Sequence, residues 1–168
     1  MKRALVLGSG GSGKTTFAVR LARLTGLPLI HLDSHYWLPN WQKRSDDEWA
    51  SIVRELVSRD CWIMDGNYGG TLDERLKACD TVFFLDVPRG QCLSRVLRRQ
   101  LLNGGRARAE MPEGCAERFS LEFLAWIWTY PTRRRGPILE RLEGLRSDRL
   151  VHVFRSDAEI DHFLDRLR

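Results

Sequence analysis

Gly8-Ser9-Gly10-Gly11-Ser12-Gly13-Lys14-Thr15 is the stretch on which the reading of this chain turns. It has the spacing G-x-x-x-x-G-K-[ST], and each fixed position has a physical reason. Glycines let the backbone curl until consecutive N–H groups point inward at phosphate oxygens. A helix opening at Gly13 adds its positive dipole end. Lys14 brings a point charge to the β- and γ-phosphates, and Thr15 offers a hydroxyl to Mg²⁺. Gly8, Ser9, Gly10, Gly11, Ser12, Gly13, Lys14, Thr15 and Thr16 are therefore the expected nucleotide-binding residues, with ATP and Mg²⁺ as the expected cofactors.

The flanks agree with such a loop. Ala4-Leu5-Val6-Leu7 is an apolar run ending in Gly8, which reads as a buried strand. Phe17, Ala18, Leu21 and Ala22 then repeat at helical spacing, and Gly26 and Pro28 close that helix. Further strands are expected at 29–32, 61–64, 81–85 and 150–154. Residues 34–44 read as irregular and aromatic. Ser45 and Glu48 form a capping box ahead of a helix to Arg59, and Ser156 and Glu159 form a second one. Helices are expected over 89–102, over 118–130 with a stop at Pro131, and from about Pro137. Strands alternating with helices indicate an α/β layer fold around a parallel sheet.

The 168 residues are 43% hydrophobic and 29% charged, which suits one domain over 1–168. No run approaches the roughly 18 apolar residues of a membrane span. Met1-Lys2-Arg3 and the short apolar run after it do not make a secretory leader, so a cytoplasmic chain without membrane partners is expected. Cys61, Cys79, Cys92 and Cys115 show no Cys-x-x-Cys pair and read as reduced, small apolar residues. A net charge of +5 suits an anionic ligand such as a nucleotide, and equally a nucleic acid.

Three carboxylates follow strand candidates, where a parallel sheet lines its ligand crevice. Asp65 follows Trp62-Ile63-Met64 and Asp86 follows Phe83-Phe84-Leu85; either is placed to hold Mg²⁺ through water. Asp33 ends the second strand and is placed to accept a proton from an acceptor hydroxyl. The stretch from Arg89 to Arg108 holds Arg95, Arg98, Arg99 and Arg106 besides its two ends, and no acidic residue. Arg95 and Arg99 lie four apart on one helix face, and arginine forks stabilise a transferring phosphoryl group. The glycine-containing segment 103–117 reads as a lid carrying Arg106 and Arg108. Trp37 and Trp41 flank Pro39 beside the acceptor side, with ring stacking as their candidate role, and His35 is the histidine nearest Asp33 in that segment.

These residues together resemble the adenylate-kinase-like group of P-loop kinases. Asp65-Gly66 is similar to that group's Asp-Gly after strand three, and Asp86-Val87-Pro88 followed by Arg95 and Arg99 to its strand-four turn and lid arginines. More closely, the stretches 62–68, 70–73, 117–119 and 123–128 resemble the bacterial DNA topology modulation (FlaR-like) proteins. The resemblance implies a three-layer P-loop NTPase fold with a five-stranded parallel sheet in the order 2-3-1-4-5 and a short arginine-bearing lid. It implies a kinase in which Lys14, Asp33, Arg95 and Arg99 are catalytic and Thr15 and Asp65 organise the metal. Arg118 joins Arg106 and Arg108 as a lid or acceptor arginine, with His35, Trp37, Arg75 and Asp86 as further acceptor candidates.

The chain departs from that pattern at one place. Nucleoside monophosphate kinases continue Asp-Gly with Phe-Pro-Arg, whose arginine grips the acceptor phosphate; here Asn67-Tyr68-Gly69 follows, and Arg75 is the nearby substitute. Two functions are thus expected in competition: transfer of the γ-phosphoryl of ATP to a small-molecule acceptor, and nucleotide-gated association with DNA through the arginine clusters. No helix-turn-helix or zinc-finger spacing supports the second.

Overall fold

A computed structural model describes residues 1–168 except 104–110, 117, 118, 146 and 168. Five strands form the sheet: β1 (Arg3–Gly8), β2 (Leu29–His31), β3 (Trp62–Asp65), β4 (Thr81–Leu85) and β5 (Leu150–Phe154). Between and after them run α1 (Lys14–Thr25), α2 (Leu32–Tyr36), α3 (Asp46–Val57), α4 (Leu72–Ala78), α5 (Arg89–Asn103), α6 (Leu121–Tyr130), α7 (Gly136–Glu143) and α8 (Asp157–Asp165). The strand order is β2-β3-β1-β4-β5 and every pairing is parallel, as the resemblance implies.

The sheet is buried on both faces, which is why its strands read as unbroken apolar runs. Leu5, Leu7, Met64 and Phe84 face a core shared with Trp49 and Val53 of α3, Leu76 of α4 and Leu142 of α7. Ala4, Val6, Ile63 and Phe83 face the other core, with Phe17 and Leu21 of α1, Val96 of α5 and Leu164 of α8. Residues of opposite parity thus serve opposite layers. Cys79, Cys92 and Cys115 are buried among these side chains or beside them.

Helix ends follow their chemistry. Gly26 caps α1 in the left-handed region with φ 71°. Ser45 and Glu48 make the full reciprocal box on α3. On α8 the Ser156 side chain accepts from the Glu159 N–H, while the Glu159 carboxylate takes the N–H of Arg155 instead.

Three expectations need correction. The second strand ends at His31, so Asp33 lies in the first turn of α2. Residues 37–43 are ordered: Trp37–Leu38 and Gln42–Lys43 pair as an antiparallel ribbon around a turn at Pro39–Trp41. Pro131 does not stop a helix. It keeps helical torsions (φ −59°, ψ −38°), and a π-helical stretch over Pro131–Arg135 joins α6 to α7. The wider hydrogen-bond spacing accommodates the N–H that proline lacks.

Candidate functional site

Residues 8–13 link the carboxyl end of β1 to α1 at the centre of the sheet. Asn67 fixes the entry to this loop. Its side-chain oxygen accepts the Gly8 N–H at 3.1 Å, and its amide nitrogen donates to the Gly8 carbonyl at 2.6 Å. Lys14 Nζ donates to the Ser9 carbonyl at 2.8 Å, which keeps the ammonium over the loop. The Ser12 hydroxyl is buried and makes no hydrogen bond among the described residues. The aromatic helix α6 lies directly on Gly10: a Cβ there would come within 2.6 Å of the Phe123 ring and would displace it.

Arg95 on α5 reaches the same place. Its guanidinium lies 3.9 Å from where a Cβ on Gly13 would stand, and it is paired with Asp157 at the start of α8. Arg99 is one turn further along α5. Thr15 and Thr16 stand in the first turn of α1, Thr15 half-buried and Thr16 exposed.

Register places the carboxylates. His31 and Asp65 are opposed at the carboxyl ends of β2 and β3. His31 Nδ1 lies 2.9 Å from Asp65 Oδ1, and Asp65 is 6% exposed. Sequence reasoning missed His31 as the partner of Asp65; its signal was that both residues end adjacent strands. Asp33 accepts a hydrogen bond from the Tyr68 hydroxyl. The Tyr68 ring packs against Tyr36 (4.6 Å between centroids) and Trp49 (4.9 Å). Burial, then the Asp33 charge, pushes the Tyr68 phenol far up, so it stays a donor to that carboxylate.

Arg75 is corrected. It is fully buried, and its guanidinium donates to the carbonyls of Thr71, Gly66, Asn67 and Tyr68. With the whole side chain buried and four donations spent on backbone carbonyls, it presents no accessible face to an acceptor. Burial lowers its pKa to about 10, so it remains charged at neutral pH. It is the clamp that shapes the 66–71 turn, in which Tyr68 has φ 36°.

Asp86 is also engaged within the chain. Arg135 Nε and one terminal nitrogen donate to its two carboxylate oxygens, each at 2.7 Å. This fork ties the end of β4 to the π-helical stretch, and the bond to Asp86 raises the Arg135 pKa further.

His35 is not brought to Asp33. Two residues apart on α2, the side chains diverge, and His35 lies near Arg44, Arg59 and Glu55. Burial, then Arg59 and Arg44, holds its pKa below the ordinary value. Trp37 packs edge-on against Trp41 at 5.3 Å. Trp41 has φ 61°, and its indole N–H donates to the Ala116 carbonyl at 3.1 Å. Cys115 Sγ donates to the Leu38 carbonyl at 3.3 Å. The described end of the lid-like segment, 111–116, is therefore seated on the ribbon. Arg106, Arg108 and Arg118 lie outside the described residues.

The residues present fit a magnesium nucleotide. A buried unpartnered hydroxyl (Ser12), an ammonium held over the loop (Lys14) and a guanidinium at the α1 N-terminus (Arg95) form a donor set for a polyphosphate. Thr15 and Asp65 are the oxygen donors a hard cation takes.

No protein-family model matches the chain. Adenylate kinases of Thermotoga petrophila and Thermotoga maritima are each 31% identical to it over 88 residues, 51% of this chain and 39% of the relative. The chain thus spans well under half the length of the curated relatives it matches. Shikimate kinase from Acinetobacter baumannii, solved with shikimate, superposes at a TM-score of 0.60 and 17% identity, over 99% of this chain and 90% of that one. A provisionally designated kinase from Chloroflexus aurantiacus superposes at 0.53 and 20% identity, over 100% and 98%. The chain shares the fold of these two solved structures. Among the described residues, no helix is long and apolar enough to cross a membrane.

Proposed function

We propose that the protein is an ATP-dependent phosphotransferase acting on a small acceptor, with the FlaR-like resemblance as part of this reading. One observation carries it: the loop locked by Asn67 gathers Lys14 and Arg95 at one end of α1, while Asp33 stands fixed by Tyr68 across the sheet ends. MgATP supplies the transferable γ-phosphoryl group and the charge of the metal. Lys14, Arg95 and Arg99 hold and neutralise the phosphate oxygens. Thr15 and Asp65 hold the cation. Asp33 orients an acceptor hydroxyl and takes its proton as the new oxygen–phosphorus bond forms and the bond from the β,γ-bridging oxygen to the γ-phosphorus breaks, with ADP as the leaving group.

The test is ³¹P NMR of the full chain with MgATP and a pool of nucleoside monophosphates, nucleosides, sugars and hydroxy acids. A new phosphate resonance is expected that needs both an acceptor and Lys14, and is absent in Lys14→Ala. ATP that stays intact with every acceptor overturns the reading. In that event, DNA binding that falls steeply with salt and differs between ATP and ADP supports the nucleotide-gated DNA alternative. The ion pairs of Arg20, Arg95, Arg135 and Arg141 with Asp161, Asp157, Asp86 and Asp73 engage four arginines that a DNA backbone would otherwise contact.

A further inference from the structure

A second cavity, of about 160 Å³, lies between α4 and the π-helical stretch leading into α7. Its floor is apolar, from Leu7, Leu72 and Ile138. Its rim carries Arg133, Arg134 and Arg141, and no Asp or Glu is among its described lining residues. Asn67, which holds Gly8, forms part of its wall, so the cavity adjoins the phosphate loop.

Tyr130 also lines it. Tyr130 is 4% exposed, and its hydroxyl makes no hydrogen bond among the described residues. The same residue lines a smaller cavity of about 20 Å³ with Ser9, Asp86 and Arg135. A buried hydroxyl is rarely left unpartnered in a folded protein. Tyr130 forms a wall between the loop that would hold nucleotide phosphates and the basic cavity, with its hydroxyl sealed inside that wall.

The rim arginines differ in how they are held. Arg141 is paired with Asp73 and donates to the Pro137 carbonyl. Arg134 lies over the Trp126 ring at 5.6 Å. Arg133 makes no ion pair or hydrogen bond among the described residues. A cavity of this size accommodates a phosphate or carboxylate with a short carbon stem.

We infer that this cavity holds the anionic end of the acceptor, making the acceptor a small hydroxylated anion rather than a neutral sugar or alcohol. The inference rests on the phosphotransferase reading. The anion supplies what the geometry lacks: a counter-charge for Arg133 and Arg134 at the rim.

The test is calorimetry on the full chain saturated with MgADP, which occupies the phosphate loop, using inorganic phosphate, glycerate and glycerol as probes. One anion is expected to bind with one-to-one stoichiometry at least tenfold tighter than glycerol, and which anion responds distinguishes phosphate from carboxylate. The double variant R133Q/R134Q is expected to lose tenfold or more of that affinity while MgADP affinity stays within twofold. Arg133→Gln alone is expected to lose threefold or more with no fall in thermal midpoint, which keeps the test decisive should the double variant misfold. No preference for either anion over glycerol, or an affinity indifferent to both variants, overturns the inference. The phosphotransferase reading fails separately, if MgADP itself does not bind. The anion titrations are then run on the nucleotide-free chain and on Lys14→Ala, where dependence on Arg133 and Arg134 decides the cavity alone.

Discussion

The side-chain amide of Asn67 holds both backbone polar groups of Gly8, accepting from its N–H and donating to its carbonyl. The turn after β3 thereby sets the shape of the loop after β1, two strands that are neighbours in the sheet. Replacing Asn67 by alanine removes both bonds. Each is worth about 1 kcal/mol net, so stability is expected to fall by about 2 kcal/mol. Nucleotide affinity is expected to fall at least tenfold, as titration of Asn67→Ala with MgADP will measure.

Arg75 sits under the same turn with its fork filled by backbone carbonyls. Arg75→Met is expected to destabilise the fold by about 3 kcal/mol or more, since several buried carbonyls lose a charged donor at once. Arg75→Lys is expected to rescue little, because one ammonium does not reproduce a planar fork. Chemical denaturation of both variants checks this. A variant with normal stability and a raised acceptor KM would return Arg75 to an acceptor role.

Tyr68 gives Asp33 a fixed orientation. Tyr68→Phe leaves the packing against Tyr36 and Trp49 and removes the hydroxyl. Turnover is expected to fall about tenfold, equivalent to about 1.4 kcal/mol in the barrier, with nucleotide affinity unchanged. Asp33→Asn is expected to cost a further factor of ten or more, as a lost general base does. Steady-state kinetics of both variants separate positioning from proton transfer.

Two half-buried histidines give the fold a pH dependence. Burial, then Arg59 and Arg44, lowers the pKa of His35; burial, then Arg166, lowers that of His152. The unfolded chain binds protons near pH 6.5, while the folded chain resists until lower pH. Their contribution is therefore complete above about pH 6.5 and lost as the pH falls through the folded values. Thermal midpoints are expected to drop between pH 7 and 5, and His152→Phe, which keeps a ring stacked on Phe83, is expected to flatten that drop.

The parallel core was legible because its signals are local: apolar runs ending in glycine or aspartate, helix caps at Ser45 and Gly26, and the glycine loop itself. What sequence reasoning missed depends on contacts between distant segments. Arg75 looked like a ligand-binding arginine because nothing in its neighbours reveals that the chain curls back over its guanidinium. The partners of Asp65, Asp86 and Gly8 lie on a neighbouring strand, a helical stretch and a turn far along the chain, and become visible only in the folded arrangement. Pro131 misled for a different reason: its fixed φ is compatible with a helix, and only the hydrogen-bond spacing changed.

That continuity at Pro131 makes a beam of α6 and α7, about 35 Å long at the usual rise per residue. One end bears on Gly10 through Phe123, the other is embedded in the core through Leu142, and the Asp86–Arg135 fork rivets the middle to the sheet. Two helices hinged at a break would have been free to tilt separately. As built, the distance between the phosphate loop and the arginine rim is gauged by a single strut of backbone.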